Sequence, residues 1–152
     1  MSGKSALSFV IPLLLLCSCS TDTKNAEDMT IDDMAAGLVE ELDQDSSVKV
    51  KSRIVKGMLF EGEDIVENAC VYMSEDEGNS DFVGVFETDD PEVCIEYLQE
   101  WLLNQKNEMQ IYYPSQVFKI SNAVMENNDD LVILIICEDI EQAKVKAAAL
   151  LD

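Results

Sequence analysis

Apolar and polar positions recur along this chain with two periods, and the switches between those periods divide it into elements. Ile31, Met34, Leu38 and Leu42 follow Thr30 at helical spacing, and Thr30 with Asp33 three places on has the form of a capping box. A helix is predicted from Ile31 to about Leu42. Ile54, Val55, Met58 and Leu59 fit a second, short helix stopped near Gly62, although a strand fits the same residues. "ACVYM" (69–73) and "FVGVFE" (82–87) are strand-type apolar runs on either side of the polar turn "SEDEGNSD" (74–81), so they predict a hairpin. Asp90 then caps a long helix, with Pro91 at the first position, where its missing N–H costs nothing. Cys94, Tyr97, Leu98, Trp101 and Leu102 form the inward stripe of that helix, and Glu92, Glu96 and Glu100 face water. Pro114 breaks it. "NAVM" (122–125) and "LVILIIC" (131–137) frame "ENNDD" as a second hairpin. Asp139 caps a last helix, with Gln142 at its third position and Ile140, Ala143, Ala147 and Leu150 facing inward.

Two segments share one plan of hairpin, acidic cap and amphipathic helix. At a constant offset of 49 residues, Val83 matches Val132, Asp90 matches Asp139, Glu92 matches Glu141 and Leu102 matches Leu151. The predicted fold is α+β: a single domain over residues 31–152, with an antiparallel sheet built from two ββα units and helices packed on one face. "LVILIIC" is apolar on both faces and therefore belongs inside the sheet, not at an edge.

The N-terminus follows a different logic. Lys4 precedes an apolar run centred on "FVIPLLLL" (9–16), which has the length of a signal-peptide core and is too short to span a bilayer. Leu16, Cys17, Ser18 and Cys19 follow, with a small residue before the second cysteine, and this looks like the bacterial lipobox. The expected signal peptide is residues 1–18, cleaved between Ser18 and Cys19, with Cys19 carrying diacylglycerol and, usually, a further acyl chain such as palmitate. Two or more chains are what stable anchoring requires. Residues 19–30 are polar and without apolar period, which predicts a flexible tether.

Composition narrows the function classes. The 152 residues include 31 acidic and 10 basic side chains and no histidine, for a net charge of −21. Such a chain repels phosphate backbones at long range, so nucleic acid is not an expected partner. Without histidine there is no Ser-His or Cys-His nucleophile and no imidazole switch. The 47% hydrophobic content still supplies a core.

The order of elements around "VYMS" (71–74), the Gln105–Lys106 pair, the Tyr113–Pro114 break and "NAV" (122–124) resembles a family of small bacterial cell-envelope lipoproteins, mostly from Firmicutes, that carry a domain of unknown function. The resemblance covers roughly the last three-fifths of the chain. It departs at Asn127 to Asp130, where such proteins often have a glycine in the turn. It implies a fold and an address at the outer face of the cell membrane, and it transfers no catalytic residue.

The remaining candidates each carry a plain structural explanation beside the chemical one. Cys70, Cys94 and Cys137 sit in apolar stretches, where placement favours buried thiols over a disulfide. The carboxylates of "SEDEGNSD" could face calcium, yet the spacing is that of a solvated turn. Tyr112, Tyr113 and Phe118 surround the Pro114 break and form either a partner surface or a cover for the end of the core. No catalytic residue, metal or cofactor is assigned. The expected function is a lipid-anchored, extracytoplasmic binding or accessory module with an envelope protein as possible partner. The alternative is a small envelope enzyme or enzyme regulator using carboxylates or a thiol.

Overall fold

The computed structural model describes residues 29–152. The expected signal peptide, its cleavage site at Ser18–Cys19 and most of the tether lie outside the described residues. Helix α1 covers Ile31–Glu41 and starts from the foreseen capping box: Asp33 N–H donates to Thr30 Oγ1 at 3.2 Å, and Thr30 N–H donates to Asp33 Oδ2 at 3.3 Å. Strand β1 (Ser47–Lys49) and helix α2 (Ser52–Leu59) follow. Gly62, at φ 88°, donates its N–H to the Lys56 carbonyl and closes α2 as expected of a C-terminal glycine. Strands β2 (Asn68–Ser74) and β3 (Phe82–Glu87) make the first hairpin. Helix α3 runs from Pro91 to Tyr112. A 3-10 turn at Pro114–Gln116 leads into the short helix α4 (Val117–Ser121). Strands β4 (Val124–Asn127) and β5 (Leu131–Ile136) make the second hairpin, and α5 (Ile140–Leu151) ends the fold.

The sheet is wholly antiparallel, in the order β1-β2-β3-β5-β4. Strand β5 lies between β3 and β4, in agreement with its two apolar faces: Val132, Leu134 and Ile136 join one cluster, Ile133, Ile135 and Cys137 the other. The α+β class and the two joined hairpins match the sequence. The expectation of helices on one face does not. Helices α2, α3 and α4 pack on one face through Val55, Leu59, Cys94, Leu98, Trp101 and Ile120. Helices α1 and α5 pack on the other through Met34, Ala35, Leu38, Ala143 and Ala147.

Register explains the correction. Cross-strand neighbours share a face, and Val83 stands opposite Ile135 while Val132 stands opposite Phe86. Val83 and Val132, equivalent in the repeat and an odd number of residues apart, therefore point to opposite sides. Each helix leaves its strand at the same phase, so the odd offset sends α3 and α5 to opposite faces.

Smaller differences have local causes. The second hairpin's first strand begins at Val124 rather than Asn122, because α4 takes up the residues before it and Asn122 closes that helix by donating its N–H to the Phe118 carbonyl. The turn at Asn127–Asp130 works without glycine: Asn128 Oδ1 accepts from the N–H groups of Asp130 (3.1 Å) and Leu131 (2.9 Å), and no residue there has positive φ.

Candidate functional site

The long helix α3 ends in a corner built around Pro114. Proline removes an N–H that the helix would need, so the chain turns, and α4 folds back beside α3. Three aromatic residues mark this corner. Tyr112 and Phe118 are 69% and 66% exposed, next to Ile111 at 74%, while Tyr113 is 39% exposed. Tyr113 leans over Gly78 in the β2–β3 turn, where a side chain on Gly78 would meet the Tyr113 ring at 3.3 Å. Of the sequence-predicted trio, then, Tyr113 serves as a prop for the turn, and Tyr112 and Phe118 face outward. None of the three makes a ring contact with another among the described residues.

A polar network holds the corner in place. Lys119, on α4, donates to Asp81 Oδ1 at 2.9 Å and to Asn79 Oδ1 at 3.1 Å, with Glu138 at 3.7 Å. The Lys119 and Asp81 side chains are 12% and 16% exposed, which strengthens their attraction relative to a surface pair. Gln116 Oε1 accepts from both Ser80 N–H and Ser80 Oγ at 3.1 Å. The turn "SEDEGNSD" is thereby tied to the aromatic corner. Two of its four carboxylates are occupied: Asp76 Oδ1 accepts from Gly78 N–H, and Asp81 binds Lys119 and Asn79. Among the described residues no group of three or more acidic, cysteine or histidine side chains is arranged to hold a metal ion.

Cys70, Cys94 and Cys137 are free and buried, as their placement indicated. Burial pushes the Cys94 thiol up to about 12. Burial, reinforced by the neighbouring Asp32 carboxylate, pushes Cys70 up to about 12 as well. Burial, with the Asp81 and Asp139 charges, raises Cys137 to about 11, and its Sγ–H donates to the Asp139 carbonyl at 3.3 Å. Thiols this basic are neutral near pH 7, whereas nucleophilic cysteines require the thiolate.

A second feature escaped the sequence pattern. A cleft of about 910 Å³ opens between the N-terminal ends of α1 and α2 and the start of β2. It exists because β1 is short: pairing with β2 stops at Lys49 opposite Tyr72, and the Val50 N–H to Val71 carbonyl bond is the last tie. Beyond it, Asn68 and Ala69 border the cleft, paired with Glu87 and Phe86 of β3 on one side and with no strand on the side that β1 would occupy. Lys49 pairs with Asp32 at 2.8 Å, which holds the Asp32 carboxyl below its ordinary range and raises Lys49. Lys56 pairs with Asp64, and Asn68 donates to Glu87 at 2.6 Å. The sequence signal for this cleft was a weak one: three residues, "SVK", that make a strand too short to show a period.

No helix among the described residues is long and apolar enough to cross a membrane. No curated protein and no solved structure matches the chain. One family model does match, over residues 40–137, which is more than half of the chain and takes in all five strands with α2, α3 and α4. The matched segment includes the corner, Lys119 with its partners Asp81 and Asn79, and the edge of β2 that lines the cleft. The chain therefore belongs to the family described as Domain of unknown function (DUF4358).

Proposed function

We propose that this protein is a binding module of the bacterial cell envelope, tethered to the outer face of the membrane by lipid on Cys19, and that it engages an envelope protein through the corner at Tyr112, Tyr113 and Phe118. One observation carries the binding role. Ile111, Tyr112 and Phe118 expose large apolar side chains within residues 111–118, on a chain of net charge −21, while the backbone beneath them is pinned by Lys119 and Gln116. Single exposed apolar residues are ordinary, but a group of them on a fixed support resembles the aromatic anchors of interfaces. Tyrosine is suited to this because its ring gives contact area with few rotatable bonds. The address rests on the L-C-S-C motif behind its apolar run.

Two experiments test the two halves. Labelled palmitate is expected to enter the wild-type protein and not a Cys19→Ala variant; equal labelling overturns the anchor. For the binding role, the full chain with Tyr112→Ser and Phe118→Ser is compared with wild type for capture of a partner from the parent membranes, with Val145→Ser on α5 as an exposed apolar control. Loss of the two anchors is expected to weaken capture by at least about thirtyfold, the effect of losing a single anchor of about 2 kcal/mol. Capture that the corner variant and the Val145 control weaken equally overturns the assignment of the surface.

A further inference from the structure

The cleft beside β2 shares no residue with the aromatic corner, and its chemistry differs. An unpaired strand edge offers N–H and C=O groups that another extended chain can bond, and native proteins commonly cover or charge such edges. Backbone groups of β2 alternate in direction, with Ser74 bonding to Asp81 on the β3 side and Val71 to Val50 on the β1 side. The open edge is therefore at Ala69, inside a cavity whose volume falls within the range of ligand sites, about 300–1,000 Å³. The line along which β1 approaches continues into that cavity, where α2 turns away at Ser52.

Charge selects the occupant. Both lysines on the cleft wall are already paired, Lys49 with Asp32 and Lys56 with Asp64. The carboxylates of Glu63, Glu67 and Asp130 line the same cavity with no hydrogen bond or ion pair among the described residues. Backbone edge and unneutralised carboxylates together favour an extended cationic chain, which can satisfy both at once. The chain's own residues 20–28, "STDTKNAED", carry three carboxylates and one lysine, so their charge is wrong for the site. We propose that the cleft binds a lysine- or arginine-rich peptide segment of another protein as an added strand against β2, antiparallel to it and continuing the line of β1.

The test uses the full chain and two synthetic probes of equal charge, Lys-Val-Lys-Val-Lys and Lys-Pro-Lys-Pro-Lys. Proline lacks the N–H and adopts the wrong backbone for a ladder, so only the valine peptide can add as a strand. The valine peptide is expected to bind about tenfold more tightly than the proline peptide, and to slow amide hydrogen exchange at Ala69. A Glu63→Gln/Glu67→Gln/Asp130→Asn variant is expected to weaken the valine peptide about tenfold, an effect that shrinks at high salt. Tyr112→Ser is expected to leave it unchanged, which separates this site from the corner. Equal binding of the two peptides reduces the interaction to charge alone and overturns strand addition. Unchanged affinity in the triple variant, or unaltered exchange at Ala69 under saturating peptide, overturns the site itself.

Discussion

Gly84 offers the sharpest test of how the core on the α3 side is packed. It lies in β3 between Phe82 and Phe86, opposite Val71 on one neighbour and Leu134 on the other. A Cβ at this position would stand 2.6 Å from Phe86 Cζ, 2.7 Å from Cε2 and 2.9 Å from Phe82 Cε1. Carbon atoms in contact prefer about 3.5–4.0 Å, so both rings would have to retreat by close to 1 Å. They have nowhere to go. Phe86 and Phe82 are fully buried, the first edge-on to Phe60 at 5.7 Å and the second against Trp101 at 4.8 Å. Replacing glycine by alanine in a strand gains about 0.5–1 kcal/mol from the unfolded chain, while overpacking a tight core costs about 1–3 kcal/mol. The expected net effect of Gly84→Ala is a loss of about 1–2 kcal/mol, read as a lower urea midpoint at constant slope. The double variant Gly84→Ala/Phe86→Leu is expected to lose less than the two single losses combined, by about 0.5–3 kcal/mol, because leucine vacates the space that the methyl needs. A Gly84→Ala protein as stable as wild type, or strict additivity in the double variant, would refute this packing.

Other expectations follow from the same geometry. Lys119→Ala leaves the enclosed Asp81 carboxylate without its cation and is expected to cost about 2–3 kcal/mol in urea unfolding; adding Asp81→Ala should recover part of that loss, and a Lys119→Ala effect below 0.5 kcal/mol would show the network to be ornamental. The buried thiols make stability fall at alkaline pH. Their folded values, about 12, 12 and 11, lie above the unfolded value of 9.0, so the folded chain retains protons that the unfolded chain has released. Their stabilisation is complete below pH 9 and declines from there toward 11–12, by about 1.4 kcal/mol per thiol per pH unit at most. Urea unfolding between pH 8 and 10.5 should therefore show a flatter decline for a Cys94→Ala variant than for wild type, and parallel curves would contradict the burial of that thiol. Mass-mapped alkylation at neutral pH should find Cys70, Cys94 and Cys137 slow in the folded protein and fast in urea.

What the sequence disclosed divides by range. The capped helices were legible because a cap is a local event: Thr30, Asp90 and Asp139 each accept from an N–H three residues on, and the apolar stripe starts beside them. The two hairpins were legible from runs of β-branched and aromatic residues between polar turns. The placing of helices on both faces was not, because it depends on which residue of β3 meets which residue of β5, a pairing between segments almost fifty positions apart. Gln44 illustrates the same limit. Nothing near it in sequence indicates that its side chain is buried with Nε2 donating to the Ile136 carbonyl at 2.9 Å. The aromatic corner was visible through Pro114 and its neighbouring rings, but Lys119, which fixes that corner, reads in sequence as an ordinary surface lysine. The cleft was hidden for a different reason: it arises where a strand stops short, and a three-residue strand leaves no periodic trace.

The most direct test of the account is photo-crosslinking at position 112. The full chain carries a photoreactive phenylalanine analogue in place of Tyr112, in its own membranes, with the same analogue at Val145 as a control on the far helix. Binding through the corner predicts a discrete crosslinked species from position 112 that is absent from position 145 and is lost when Phe118→Ser is added. Equal crosslinking from both positions, or none from position 112, would contradict it.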